Sequence, residues 1–126
     1  MARGFAAGPV NSWLDSLFGT TWVKLHVGDP GAAGASNPAA GDTTRKQATM
    51  GAAAAGVKAM TGTAGPWTHG SAAGAGTESL TDVSLWTAVS AGTFNGSVQL
   101  GTPQSWSGTN TFVLNVLSLS AGPLAA

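Results

Sequence analysis

Apolar residues recur at three- and four-residue steps between Pro9 and Phe18, at Val10, Trp13, Leu14, Leu17 and Phe18. The spacing predicts a short amphipathic helix, with Asn11 or Ser12 as cap and Gly19 as stop. From Trp22 to Val27 the period drops to two, with Val23, Leu25 and Val27 on one face and Trp22, Lys24 and His26 on the other. That alternation predicts a β-strand, ended by the turn residues Gly28-Asp29-Pro30-Gly31. Residues 28–44 are drawn from Gly, Ala, Ser, Asn, Pro, Thr and Asp and read as one loop. Its length exceeds the usual connection in a compact domain, so it is expected to be functional or to be ordered by another chain.

Further on, Arg45–Met50 reads as a polar strand and Val57–Met60 as a weak one. Ala52–Ala55, flanked by Gly51 and Gly56, is too short to stand as a helix. Residues 61–76 read as a second loop, carrying Trp67 and His69. Leu80–Ala88 predicts a strand with Val83 and Leu85 on one face and Leu80 and Trp86 on the other. Phe94 and Ser97–Leu100 follow, then Thr111–Ser120 as a final strand. This last segment is apolar on both faces, with Phe112, Leu114 and Val116 opposite Val113, Leu117 and Leu119. Such a strand is central in a sandwich or covered by a partner. The expected fold class is all-β: a single-domain antiparallel β-sandwich over residues 10–126, with a short N-terminal helix, long Gly/Ala-rich loops and an irregular arm at 1–9.

Composition narrows the function. Ala, Gly, Thr and Ser make up 69 of 126 residues, so the core is thin and gains from neighbours. Five Trp nevertheless argue for a folded interior. Five basic residues cancel five acidic ones, which excludes the phosphate-neutralising stripe of a nucleic-acid binder. There is no Cys, hence no disulfide and no thiolate chemistry. The longest apolar runs span a few residues, so membrane insertion is not expected.

Candidate chemistry is sparse. His26 and Asp29 stand where a base and its orienting carboxylate would, but a polar-face strand position for His26 and an Asx turn before Pro30 for Asp29 account for the pair more simply. Two histidines 43 positions apart match no metal-ligand spacing, and no metal or cofactor is expected. Glu78 and Asp82 would lie about 13 Å apart along one strand face, too far for a paired acid and base, and read as solvated carboxylates. The Gly-rich segments lack the Gly-Lys-Ser/Thr of a phosphate loop. Trp13, Trp22 and Trp86 sit on periodic segments and read as core or interface. Trp67 and Trp106 fall in loops and are the candidates for surface binding, such as stacking on a host glycan.

The segment Leu25-His26-Val27-Gly28-Asp29-Pro30-Gly31, an aliphatic strand ending Leu-His-x-x-Asp-Pro-Gly after a short helix, resembles a family of small tailed-phage virion proteins described as tail fibre, minor tail or sometimes head decoration proteins. Four later segments resemble the family in order. Thr44–Met50 is similar to an Arg-Gln-Ala-x-aromatic strand, with Lys46 inserted and Met50 in the aromatic place. Thr81–Ala88 is similar to a Thr-His-Val-x-aliphatic-aromatic-Asp-Ala strand, from which Asp82 and Thr87 depart. Ser90–Leu100 resembles a Gly-Gly-Asn-aromatic turn with its strand, and Ser107–Phe112 a Ser-Gly-Asp-Thr-aromatic turn.

The resemblance implies a non-enzymatic virion structural protein, a minor tail or tail-fibre-associated subunit. A capsid decoration protein and, in another class, a host-surface carbohydrate-binding module are the alternatives. Expected partners are copies of itself, for which a trimer would suit a fibre, and other tail or capsid proteins. The two-faced final strand nominates Phe112, Val113, Leu117 and Leu119 as the interface.

Overall fold

A computed structural model describes residues 3–70 and 76–121. Helix α1 spans Ala7–Phe18 and is followed by strands β1 (Thr21–His26), β2 (Lys46–Ala48), β3 (Val57–Ala59) and β4 (Ala64–Thr68). Strands β5 (Glu78–Trp86), β6 (Phe94–Trp106), β7 (Thr111–Leu114) and β8 (Ser118–Ser120) complete the order. The fold is all-β and antiparallel, with one four-stranded sheet ordered β2-β1-β5-β6 and two ribbons, β3-β8 and β4-β7.

Alternation in β1 sets the core. Val23 and Leu25 pair with Leu85 and Val83 of β5 and point to the same face, all of them buried. The ribbon contributes Ala64, Trp67 and Leu114 to that cluster, so sheet and β4-β7 ribbon share one interior. Leu80 joins it as well, contrary to the expectation that it would lie on the Trp86 face. The cause is a register shift between Leu80 and Asp82, where four residues of β6, Leu100–Pro103, stand opposite Thr81 alone. A bulge of this kind interrupts the period-two alternation and turns Leu80 inward.

The helix starts at Ala7, inside the segment expected to be irregular, and the N-cap residue before it, Ala6, makes no side-chain cap. Asn11, expected as a cap, works elsewhere: its Oδ1 accepts from Gly56 N at 2.9 Å. Asp15 Oδ1 accepts from the buried Lys58 Nζ at 2.6 Å and from Ala53 N at 2.9 Å. These bonds fix α1 to the β2–β3 connection and β3, while Val10 and Leu14 bury the apolar stripe.

The long loop at 28–44 is ordered by its own chain. Asp29 Oδ1 accepts from Gly31 N in an Asx turn, Val27 N bonds Asn37 O and Ala39 N bonds Leu25 O. Gly34, at φ +70°, lies so close to Phe94 that a Cβ there would overlap the ring. The final segment also departs from expectation. Thr111–Ser120 is two strands, β7 on β4 and β8 on β3, separated at Asn115–Leu117 where Leu117 O accepts from Met60 N.

Gly34→Ala and Gly62→Ala both place Ala at positive φ, which costs about 1–2 kcal/mol. Only the first also meets a ring, so it should cost roughly 1–3 kcal/mol more by urea unfolding. Equal losses would refute the packing of the loop on Phe94.

The Lys58 ammonium, and after it the Ala53 N–H, holds the Asp15 carboxyl below its ordinary value of 3.8. A depressed folded-state pKa gives stability that is complete above the unfolded value and lost as pH falls through the lowered one. Unfolding curves should therefore weaken below about pH 4, and Asp15→Asn should remove that part of the pH dependence.

Candidate functional site

His26 is buried, at the end of β1 under the 28–37 loop. Its Nδ1 donates to the Ser36 carbonyl at 2.8 Å, which leaves Nε2 to accept from the Ser84 hydroxyl at 2.7 Å. Burial pushes the imidazole pKa down, and the neutral ring suits both bonds. Trp86 Nε1 donates to the same Ser84 oxygen at 2.8 Å. A serine beside a histidine can be a nucleophile and its base, but Ser84 is fully buried and its oxygen already accepts a bond. Asp29 plays no part in orienting the ring and instead closes the Asx turn. Arg45 covers the end of this chain of bonds, with its guanidinium 3.8 Å from the Trp86 ring centre and Nη1 donating to Ala88 O and Ala91 O.

A second polar cluster gathers around Glu78, the first residue of β5. It is not the solvated carboxylate expected. Oε2 accepts from Ala40 N at 2.8 Å, and Oε1 accepts from Gly41 N at 2.7 Å and from Trp106 Nε1 at 3.2 Å. His69 Nε2 lies 3.7 Å from Oε1, buried and without a hydrogen-bond partner among the described residues, while Nδ1 donates to Gly108 O. The His69 ring meets Trp106 edge-on. Gly41 is required here, because a Cβ would overlap the His69 ring and press on Glu78. The His69–Glu78 cluster was missed in the sequence, since the residues come from two different strand ends and a loop.

The tryptophans exchange roles. Trp67 and Trp106 lie in β4 and β6, not in loops, and are 0% and 2% exposed. Trp67 Nε1 donates to Thr44 O, and its ring packs on Phe112. Neither indole can stack on a glycan, and the carbohydrate reading that rested on them is corrected. The exposed indole is Trp13, at 55%, flanking the buried Val10–Leu14 stripe of α1. With Phe5, Pro9 and Val10 it lines an apolar groove of about 720 Å³ that reaches Ala121.

The four residues nominated as an interface separate. Leu117 is a core residue, 3% exposed. Leu119 is half-buried on β8 and packs against the core. Phe112 is half-buried on Trp67, and only Val113 is exposed. Phe112 and Val113 line a groove of about 780 Å³ between β7 and the β6 bulge, together with Val116, the most exposed large apolar side chain described. Among the described residues, no three His, Asp or Glu come together as metal ligands.

The family of the podophage GP4 fiber I protein gp80 matches residues 14–122. The chain belongs to this family. The matched stretch takes in every strand, the Glu78 cluster and the β7 groove, and leaves out most of the α1 groove. A comparison with curated proteins found no match.

Trp67→Ala should cost about 3–5 kcal/mol, as for a large buried aromatic, whereas Trp13→Ala should leave stability nearly unchanged. Acrylamide should quench Trp13 and spare Trp67 and Trp106. Efficient quenching of Trp67 in the folded protein would contradict its burial.

Proposed function

We propose that the protein is a non-enzymatic structural subunit of a phage virion, associated with the tail fibre and present in several copies that contact one another and neighbouring virion proteins. The observation that carries this reading is the fibre-family match over most of the chain. The chemistry of the described residues supports it. Asp15, Asp29, Asp42 and Glu78 each spend carboxylate oxygens on backbone amides of their own chain. His26 and Arg45 are likewise committed to internal carbonyls. Charged groups used in this way hold loops in place and leave little to act on a substrate. Large apolar side chains are exposed at Trp13, Phe5, Val113 and Val116, which suits contacts between proteins.

Antibody raised against the purified protein, followed by gold labelling of intact virions, tests the assignment. Label should concentrate at the tail and its appendages. Label spread over the capsid would favour a decoration protein instead, and absence of the protein from purified virions would remove the structural reading altogether.

A further inference from the structure

We propose that β7 is a self-pairing edge: the Thr111–Asn115 segment of one copy pairs antiparallel with the same segment of a second copy, centred on Val113. The two β4-β7 ribbons then become one four-stranded sheet ordered β4-β7-β7-β4. The proposal deepens the multi-copy reading and rests on it.

The first support is the open edge. Among the described residues β7 has one strand partner, β4, and its other side faces the groove of about 780 Å³. Thr111 through Val116 line that groove continuously, and the opposite wall is the β6 bulge with Leu100, Gly101 and Thr102. An unpaired edge presents a row of backbone donors and acceptors that an extended segment can complete.

The second support is what protects the other edges. At the far side of the large sheet, β2 is only three residues long and carries Lys46, with Arg45 just before it. At the near side, β6 is broken by its bulge and by Pro103. Short length, charge, proline and bulges are the devices that keep an edge from pairing. β7 is one residue longer than β2, the irregularity of its ribbon lies in β4 between Ala64 and Trp67, and Thr-Phe-Val-Leu carries no charge, no proline and no glycine.

The third support identifies the occupant. Antiparallel self-pairing centred on Val113 sets Val113 against Val113, Phe112 against Leu114 and Thr111 against Asn115. Apolar residues thus meet apolar and polar meet polar, a match that a second copy supplies without further design. Both walls of the groove are uncharged, so a copy meets no repulsion and a charged segment finds no counter-charge.

The test uses the full chain and sedimentation velocity at micromolar concentrations, with circular dichroism to confirm folding. The wild-type protein should sediment as a dimer or a multiple of one. Val113→Lys alone and Val113→Glu alone should each weaken association at least roughly tenfold, because each new charge faces its own copy. An equimolar mixture of the two should recover it. A second pair of exposed positions reads the register independently. Thr111→Lys with Asn115→Glu should keep the dimer, and Thr111→Lys with Asn115→Lys should lose it. A monomeric wild type, or single variants that stay associated, would overturn the proposal. Failure of the mixture and of the Thr111/Asn115 pair to recover association would overturn it too. None of these outcomes touches the fibre assignment, which stands or falls on virion labelling.

Discussion

The Glu78 carboxylate gathers four distant parts of the chain at one point. It stands at the head of β5, takes the amides of Ala40 and Gly41 from the long first loop, holds the Trp106 indole at the end of β6 and sits beside His69 just past β4. A charge-assisted bond to a backbone amide is stronger than a neutral one, and a partly buried carboxylate with too few donors is costly. Glu78 therefore works as a constraint in both directions. The loop must close for the carboxylate to be satisfied, and once closed it seats Trp106 in the core. The absence of a Cβ at Gly41 is the geometric condition for this approach.

The same economy runs through the rest of the molecule. With over half of its side chains small, the chain has little apolar volume to spend on holding loops in place. It uses side-chain oxygens instead. Asp42 receives Thr44 and Thr68 amides, Asn11 and Asp15 receive amides of the β2–β3 connection, and Thr87 Oγ1 receives the Thr93 amide. Each such bond contributes little alone, but unsatisfied amides in half-buried loops would be expensive. Apolar packing is concentrated where β1, β5 and Trp67 meet.

Much of the fold was legible along the chain. The alternation of β1 and the short strands β2 and β3 were readable, as was the helix, whose apolar stripe has its own period. The all-β class followed from turn residues at regular intervals. What was not legible came from features that break a period. The four-residue bulge in β6 moved Leu80 to the other face, and β4 carries only Ala64 and Trp67 inward, too few to show a pattern. Asn115–Leu117 divides a run of apolar residues that looks unbroken on paper, because Leu117 turns into the core while its carbonyl pairs with Met60. The polar sites were least legible of all. The partners of Glu78 come from residues 40, 41 and 106, and no local spacing connects them. The exposed aromatics at Phe5 and Trp13 gave no sign either, since a narrow buried stripe of Val10 and Leu14 leaves its neighbours outside.

Strand β3 stands between α1 and β8. Lys58 at its centre is clasped by Asp15 from the helix, and its backbone pairs with Ser118–Ser120. Phe5 and Ala121 consequently line the same groove, at one corner of the molecule. Tension applied between those two points would load α1, β3 and β8 first. A pull at this corner is therefore resisted by the Lys58–Asp15 ion pair and the three β3-β8 pairs together with Leu119, whose side chain ties the ribbon to the core.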